Sequence, residues 1–389
     1  MADDRPPVVI LSGIRWDFLW QRHQILATLF ARAGYPTVFV ETTGLRDLSP
    51  DPGTLRKVLR RLRANKDRKT SGGETPDGKT PDGMPPNLNV YSPLVAPPTW
   101  GVFRRVNRRL LVPRVARDIR RLTRGVSPVM IAYPPTRTTL DLLSESKPRL
   151  TVYDCSENYE GFPGIPRDVR HTEREVLERA DLVSCTSAFL LEKVRPTRPD
   201  AFLSGPGVDY ERFAALQRAR SGGAIRTVCF FGHMSEERVD FSIVKGLAEK
   251  GFEVRLVGGL GRMEEGLLTW PGVDYRGEVS HADLPAALAG TDAFIIPYHI
   301  NALTRGISPA KIYECLATGI PVVATPLPEL ERFGEHVYLA EGAEGLAEVL
   351  RGLPRLETEE KVRARIELAR ENSWDARFAA TEKEIRRKL

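Results

Sequence analysis

Residues 308–325 read SPAKIYECLATGIPVVAT, and this stretch decides how the rest of the sequence is interpreted. Ser308 is a favoured residue just before a helix and Pro309 suits the first helical position, so a helix is predicted to begin here. The run IPVVAT at 320–325 is rich in β-formers and predicts a buried strand. The stretch therefore reads as a helix-to-strand connection of a parallel α/β sheet.

Apolar β-type runs alternate with helix-length segments on both sides of this stretch. Helices are predicted from Trp16 to Ala33, from about Val239, from about Ala282 and from Ser308. The strands are predicted in two series: PVVILSG (7–13), TVFVE (37–41), VMIAY (129–133) and RLTVYD (149–154), then TVCFFG (227–232), EVRLVG (253–258), VDYRG (273–277), AFIIP (293–297) and IPVVAT (320–325). This alternation predicts an α/β protein with two doubly wound domains and a boundary near residues 204–222.

The composition, 41% hydrophobic and 28% charged over 389 residues, is that of a globular chain able to build two cores. Its apolar runs are too short for a signal peptide or a membrane span, so we expect a cytoplasmic protein. Its four Cys residues are far apart and lack Cys-x-x-Cys spacing. This predicts reduced core cysteines and argues against a zinc site or a disulfide framework.

Positive charge is concentrated in one part of the sequence. The net charge is +6, yet residues 51–130 hold 18 Lys or Arg against 6 Asp or Glu. Within them, residues 66–87 carry two Thr-Pro-Asp-Gly repeats and are predicted to form a loop of successive turns. Residues 99–122, TWGVFRRVNRRLLVPRVARDIRRL, fit either an anionic membrane surface or a helix packed on the sheet with its arginines in water. No nucleic acid is expected, because no reading module accompanies the charge.

Two charged side chains in the opening stretch indicate a ligand site. Lys311 lies in the first turn of the predicted helix, and Glu314 follows three residues later on the same face. In a doubly wound sheet this helix starts beyond the carboxyl ends of the strands, where its free amides and Lys311 can hold a phosphate. The Glu314 carboxylate can accept hydrogen bonds from both hydroxyls of a ribose. The pair indicates a nucleotide diphosphate; the alternative is an ordinary Lys–Glu pair on a solvated helix.

At this point the C-terminal half resembles the GT-B-fold glycosyltransferases. The resemblance rests on the Ser-Pro-x-Lys-x-x-Glu helix followed by Gly-Ile-Pro-Val-Val, and on GPGVDYERF (205–213), CFFGHMSEERVD (229–240) and NSWDARF (372–378). In the N-terminal half, residues 16–41 and VYDCSEN (152–158) look like the teichuronic-acid-type transferases and the xanthan-pathway glucuronosyltransferase.

The resemblance implies two Rossmann-like domains facing a central cleft. Residues 1–204 would bind the acceptor and residues 205–371 the nucleotide sugar, with a helix at about 372–389 returning to the first domain. The implied donor-binding residues are Gly232, His233, Arg276, Tyr298, Arg305, Ser308, Lys311 and Glu314. The implied acceptor-binding residues are Gly13, Arg15, Arg22 and His23.

The sequence departs from the retaining members of this group. Their donor loop has an Arg and, four residues on, a Lys, where this chain has His233 and Glu237; Gly306 stands where they have a second Glu. The resemblance therefore favours the inverting subgroup, whose chemistry needs a general base on the acceptor domain. Glu157 matches the catalytic Asp of the inverting relatives and is the first candidate, with Asp154 second. The alternative is a helix capping box formed by these two residues.

We expect neither a metal nor a cofactor, because the sequence has no Asp-x-Asp pair and its six His residues show no ligand spacing. The predicted function is transfer of a sugar from a nucleotide-diphosphate sugar to a sugar or lipid-linked sugar acceptor in bacterial glycan synthesis. Two alternatives are open: a sugar-nucleotide epimerase of the same fold, and a nucleotide-sugar-binding protein without catalysis.

Overall fold

The chain divides into two compact units. The computed structural model describes residues 5–17, 20–41, 84–96, 101–161, 167–217, 223–261, 266–309 and 311–389. Unit 1 comprises residues 1–185, 190–203 and 380–389, and unit 2 comprises residues 186–189 and 204–379. The loop predicted at 66–87 lies outside the described residues except for its last four.

Unit 1 is built on a parallel sheet whose described strands have the order β3-β2-β1-β4-β5-β6-β7. The strands are β1 (Val8–Leu11), β2 (Thr37–Val40), β3 (Leu88–Tyr91), β4 (Val129–Ala132), β5 (Leu150–Cys155), β6 (Leu182–Cys185) and β7 (Phe202–Leu203). Every residue of β1, β2 and β4 is buried. Their side chains are apolar except for Thr37, as expected of parallel strands covered on both faces.

The helices of this part of the chain cover that sheet. They are α1 (Arg22–Arg32), α2 (Gly101–Val106), α3 (Val112–Leu122), α4 (Arg137–Ser146), α5 (Val169–Arg179) and α6 (Ala188–Val194), with a π-helical turn at Asn107–Leu111 between α2 and α3. One core cluster joins Val9 of β1 and Val38 of β2 to Val115 and Ile119 of α3 and Leu142 of α4.

Unit 2 has a second parallel sheet, whose described strands have the order β10-β9-β8-β11-β12-β13. These strands are β8 (Thr227–Phe231), β9 (Glu253–Val257), β10 (Val273–Tyr275), β11 (Ala293–Ile296), β12 (Val322–Ala324) and β13 (Tyr338–Leu339). The helices are α7 (Tyr210–Ala214), α8 (Phe241–Glu249), α9 (Leu284–Leu288), α10 (Lys311–Ala317), α11 (Pro328–Glu331), α12 (Gly342–Leu356) and α13 (Glu359–Glu371). The last helix, α14 (Trp374–Lys388), begins in unit 2 and ends in unit 1.

Both sheets reverse their strand order once. In unit 1 the reversal falls between β1 and β4, and in unit 2 between β8 and β11. The predicted fold class, two doubly wound α/β sheets, is confirmed. In such sheets ligands bind in the crevice outside the carboxyl ends of the strands where the order reverses.

The first helix begins later than the sequence predicts. The expected start was Trp16, but α1 begins at Arg22, and residues 18 and 19 are outside the described part. The Trp16 amide donates a hydrogen bond of 2.7 Å to the Glu41 carboxylate, which holds the chain in a turn. That tertiary contact outweighs the local helix pattern.

Two of the sequence motifs interlock in unit 2. The Val208 amide donates to the Asn372 carbonyl and the Trp374 amide donates to the Val208 carbonyl, both at 3.1 Å. A Cβ on Gly207 would lie 2.8 Å from Cδ2 of Trp374, so only glycine lets the two segments approach this closely. GPGVDYERF and NSWDARF thus pack against each other at the start of α14.

A buried ion pair lies next to the β12 end of the unit 2 sheet. Arg365 of α13 is 0% exposed, and its guanidinium donates to the Glu357 carboxylate and, at 3.0 Å, to the Gly319 carbonyl. Pairing of this kind compensates for the cost of removing both charges from water. It ties the turn before β12 to α13.

All four cysteines are buried and reduced. Cys155 and Cys185 are directly opposed on β5 and β6. A hydrogen bond with Cys185 and burial raise the pKa of the Cys155 thiol. In unit 2, burial raises the pKa of Cys229 to about 12 and that of Cys315 well above its usual value.

Two helical glycines of unit 2 give a matched test of its packing. A Cβ on Gly246 of α8 would lie 2.4 Å from the Cβ of Ala343, whereas one on Gly352 would meet only the end of Leu356 at 3.3 Å. Gly246→Ala should lower the free energy of unfolding by about 1–3 kcal/mol through overpacking. Gly352→Ala should raise it by about 0.5–1 kcal/mol through helix propensity. Urea unfolding measures both, and equal effects would contradict the close approach of α8 and α12.

Candidate functional site

The carboxyl edge of the unit 2 sheet carries the residues of the opening stretch. The chain leaves β8 at Gly232 and leaves β11 at Pro297, and these neighbouring strands flank the reversal of strand order. Helix α10 begins at Lys311, and the Ile312 amide donates to the Pro309 carbonyl in the turn that leads into it. The residue predicted to start the helix, Ser308, lies half-buried just before that turn.

Lys311 is held by aromatic rings. Its ammonium lies 3.8 Å from the ring centroid of Phe230 and 5.3 Å from that of Tyr298. It also donates a hydrogen bond of 3.2 Å to the Tyr298 hydroxyl. The faces of aromatic rings attract a cation without neutralising it. The positive charge of Lys311 is therefore fixed in place and remains available to an anion.

Two glycines make room for this arrangement. Gly232 has a φ of +111°, and a Cβ there would lie 2.9 Å from Nζ of Lys311. Gly258, after β9, has a φ of +135°, and a Cβ there would lie 2.3 Å from the Gly232 carbonyl oxygen. Side chains other than hydrogen rarely tolerate these backbone conformations. The loops after β8 and β9 can meet only because both residues are glycine.

His233 lies beside these glycines. It is half-buried, and its pKa is lowered by burial and by the nearby charges of Arg238 and Lys311. A neutral imidazole can both donate and accept a hydrogen bond. Glu278, which the sequence analysis did not select, lies at the same edge, with Oε2 3.3 Å from the position of a Cβ on Gly259.

Glu314 follows Lys311 by three residues in the first turn of α10. Its side chain is 19% exposed, and its Oε1 lies 3.7 Å from Nε2 of His281. His281 precedes α9, where the Ser280 hydroxyl accepts from the Asp283 amide at 3.2 Å. No local pattern in the sequence predicts that His281 lies next to Glu314.

The remaining predicted donor residues differ in exposure and in their partners. Arg276 is half-exposed and donates to the Asp274 carboxylate at 2.7 Å. Arg305 is exposed, in the short turn Thr304–Gly306. Tyr298, in contrast, is 5% exposed and contacts Lys311 directly. The structure thus brings Gly232, Tyr298 and Lys311 together and leaves Arg276 engaged elsewhere.

In unit 1 the predicted acceptor residues gather where β1 and β4 end. His23 stacks on Tyr133 with ring centroids 3.5 Å apart, and its Nδ1 lies 2.8 Å from the Ser12 hydroxyl. Burial, with a further contribution from Arg22, lowers the pKa of His23 to about 3. The imidazole is therefore neutral across the physiological range and cannot serve as a cation. Gly13 is half-buried after β1, and Arg15 is exposed and paired with Asp17.

Asp154 belongs to a buried polar cluster. It is 2% exposed, and it accepts hydrogen bonds from Nε of Arg22 at 2.7 Å and from the Ser184 hydroxyl at 2.8 Å. It lies within β5, and the next short helical turn begins only at Tyr159. The carboxylate therefore contacts Arg22 and Ser184 and does not act as a helix cap.

Glu157 lies two residues beyond β5 and is half-buried. Around it, Lys193 of α6 binds three oxygens: Glu173 at 2.9 Å, and Asn158 and Glu160 each at 3.1 Å. Burial alone would lower the pKa of Lys193, but Glu173 and Glu160 raise it. This ion-pair cluster, which the sequence did not predict, fixes the turn that follows Glu157.

Two negative findings concern the described residues only. Among them, no group of three or more His, Cys, Asp or Glu is arranged to hold a metal ion. No helix in the same part of the chain is long and apolar enough to cross a membrane.

Sequence comparison gives two matches. Residues 241–383 match the family model described as glycosyl transferase-like. The chain is 26% identical over 219 residues to TuaH of Bacillus subtilis, a protein named as a glycosyltransferase of teichuronic acid biosynthesis. That match covers 50% of this chain and 54% of TuaH, so the chain spans about half the length of the curated relative it matches.

Solved structures share the fold over nearly the whole chain. Sucrose-phosphate synthase from Thermosynechococcus elongatus has a TM-score of 0.68 at 14% identity, covering 98% of this chain and 99% of that chain. HepE of Anabaena, solved in complex with UDP-glucose, has a TM-score of 0.66 at 13% identity, covering 99% and 100%. These low identities show a likeness of fold. The resemblance drawn from the sequence is confirmed: residues 241–383 match a glycosyl transferase-like family model, and the fold is shared with these solved structures.

Proposed function

We propose that the chain transfers a hexosyl group from a nucleotide-diphosphate sugar to an acceptor hydroxyl. The observation that carries the proposal is the Lys311 ammonium, held on the Phe230 ring beside Gly232 with Glu314 one turn away. A fixed cation opposite a glycine is suited to a diphosphate, which needs both charge and room. HepE, which has the same fold, was solved with a nucleotide sugar, and this supports the choice of donor.

In this proposal each donor residue has a distinct role. Lys311 binds the diphosphate and stabilises the charge that builds on it as the sugar leaves. Glu314 accepts hydrogen bonds from the ribose hydroxyls. Gly232 and His233 line the phosphate path, with His233 able to donate a hydrogen bond. Lys311 supplies the positive charge at the leaving group, so the proposal assigns no role to a metal.

The donor site is tested by comparing two lysines that make the same kind of contact with a tyrosine. Lys311 and Lys361 each donate 3.2 Å hydrogen bonds to a tyrosine hydroxyl and lie 5.3 and 5.1 Å from its ring centroid. Lys311→Ala should weaken binding of the preferred nucleoside diphosphate by about 1.5–3 kcal/mol, because a charged hydrogen bond is lost. Binding of the bare nucleoside should change little. Calorimetric titration with UDP, GDP and TDP and their nucleosides measures this.

Lys361→Ala is the control, and it should leave both affinities unchanged. Equal losses for diphosphate and nucleoside in Lys311→Ala would remove Lys311 from the phosphate site. Product analysis separates the alternatives: an epimerase changes the donor sugar without acceptor, and a binding protein leaves it intact.

We further propose that transfer inverts the anomeric configuration, with Glu157 as the general base. Glu157 would take the proton of the acceptor hydroxyl while that oxygen bonds to the anomeric carbon and the bond to the diphosphate breaks. Asp154 is the weaker candidate, because Arg22 and Ser184 already occupy its oxygens. The Lys193 cluster supports Glu157 by holding the turn behind it.

Glu157→Gln should lower turnover about 10²–10⁴-fold, because it keeps the shape of the side chain and removes the base. Nucleotide affinity should be preserved. The control is Glu178→Gln, the same change in an exposed carboxylate of α5. Turnover and the anomeric configuration of the product are measured together. Near-normal turnover in Glu157→Gln would exclude Glu157, and a retained configuration would exclude the mechanism.

For the acceptor we propose a lipid-linked sugar at an anionic membrane surface on the cytoplasmic side. The basic face, comprising Phe103, Arg105, Arg108, Arg109, Leu110 and Arg114, lies on α2, the π-helical turn and the start of α3. Leu110 is 65% exposed and Phe103 is 38% exposed. Its four arginines are also exposed. Apolar side chains among exposed arginines match an anionic leaflet, while the buried side of α3 packs on the sheet.

Arg108→Ser with Arg109→Ser should weaken binding to phosphatidylglycerol-containing vesicles by about 1 kcal/mol per arginine. Leu110→Ser should weaken it as well, by removing an inserted side chain. Val126→Ser is the control, since Val126 is 51% exposed outside the basic face. Cosedimentation at low and high salt measures these effects. Failure to sediment with any vesicle at low salt would exclude membrane attachment through this face.

A further inference from the structure

We propose that His281, held by Arg212, is a positioning residue that orients the Glu314 carboxylate for the nucleotide. The inference rests on the proposed role of Glu314 at the ribose. It connects three stretches that are far apart in sequence: Arg212 in α7, His281 before α9, and Glu314 in α10.

Arg212 binds His281 through two hydrogen bonds. Its Nη1 donates a hydrogen bond to Nδ1 of the imidazole and another, of 2.9 Å, to the His281 carbonyl. The guanidinium is itself held, because its Nε lies 3.0 Å from the Asp209 carboxylate. The Phe213 ring packs edge-on to the imidazole, with centroids 6.2 Å apart. Backbone and ring of His281 are therefore fixed together.

This contact determines where the imidazole carries its proton. A guanidinium can only donate hydrogen bonds, so Nδ1 of His281 must be the accepting nitrogen. The ring proton then lies on Nε2, which is the nitrogen that faces Oε1 of Glu314 at 3.7 Å. The identity of Arg212 thus sets the tautomer, and the tautomer presents an N–H to the carboxylate.

At 3.7 Å, Nε2 of His281 and Oε1 of Glu314 are too far apart for a hydrogen bond. In this proposal the N–H instead attracts the carboxylate as the positive end of a dipole. The terminal torsion of a glutamate is broad, so an undirected carboxylate samples many orientations. Two vicinal hydroxyls can bind both oxygens of a carboxylate only if its plane is correctly turned. With Oε1 drawn towards His281, the carboxylate is turned before the nucleotide arrives, and less ordering is needed on binding.

The role of GPGVDYERF follows from the same geometry. Val208 and Gly207 fix the start of this segment against Trp374. The segment then places Arg212, which is paired with Asp209, in contact with His281. The motif therefore acts on the nucleotide site through His281 and needs no direct contact with the ligand.

A double-mutant cycle tests the coupling. His281→Leu should weaken binding of the preferred nucleoside diphosphate about 3–10-fold in the otherwise unchanged protein, since the carboxylate loses its orientation. In the Glu314→Gln background the same change should have less than about a twofold effect. The loss of affinity caused by His281→Leu should be equal for the nucleoside and the nucleoside diphosphate. Lys311→Ala, in contrast, should weaken binding of the diphosphate alone. His281→Gln, which keeps an N–H donor, should recover part of the affinity.

The tautomer gives an independent readout that needs no nucleotide. Long-range ¹H–¹⁵N spectra of the full chain should show His281 protonated on Nε2, and Arg212→Met should add the Nδ1-protonated form. A dominant Nδ1–H form in the unchanged protein would overturn the proposal. The proposal would also be overturned if the unchanged protein binds nucleotide and the losses of affinity in the His281→Leu and Glu314→Gln cycle are additive. No binding of UDP, GDP or TDP by the unchanged protein would instead overturn the proposed function, and this role with it.

Discussion

A parallel sheet covered on both faces leaves little room for polar chemistry except at its ends. In this chain β1, β2 and β4 are buried at every residue, and their side chains are apolar except for Thr37, whose hydroxyl donates to the Tyr35 carbonyl. Charged groups inside the layers are paired, as Arg22 is with Asp154 and Arg365 with Glu357. The groups that can act on a ligand are consequently found beyond the carboxyl ends, where the strand order of each sheet reverses.

Two lysines show how the surroundings decide what a charge can do. Lys193 is surrounded by the oxygens of Glu173, Glu160 and Asn158, so its charge is engaged in contacts that hold the chain in place. Lys311 is held by the Phe230 ring and the Tyr298 hydroxyl, neither of which carries a negative charge. Aromatic faces fix the position of an ammonium group and leave its charge for another partner. The first arrangement suits a structural role and the second suits anion binding.

Most of the sheet could be predicted from the sequence, because a long apolar run is a local signal. The nine predicted strands are found, but β3, β6, β7 and β13 were not predicted. β7 and β13 have only two residues each, too few to show a period. The early start predicted for α1 failed because the Glu41 carboxylate captures the Trp16 amide across 25 positions. Such a contact cannot be read from a local pattern.

The candidate site could likewise be predicted only where its residues lie in a local sequence pattern. Lys311 and Glu314 could be selected because they lie in a recognisable helix start after a strand. Arg212 and His281 are separated by 69 positions and meet only in the folded chain, so neither carried a local signal. The capping-box alternative for Asp154 could be rejected only when its partners, Arg22 and Ser184, were seen.

The buried cysteines have a practical consequence for studying this chain. Cys155 and Cys185 belong to unit 1, and Cys229 and Cys315 belong to unit 2. A thiol reacts as its thiolate and only when a reagent reaches it, so burial keeps all four thiols inert in the folded chain. A raised pKa adds to this protection at Cys155, Cys229 and Cys315. Labelling therefore requires that the surrounding structure opens. Mass spectrometry of labelled peptides would then report the opening free energy of each unit separately, without introducing any probe into the protein.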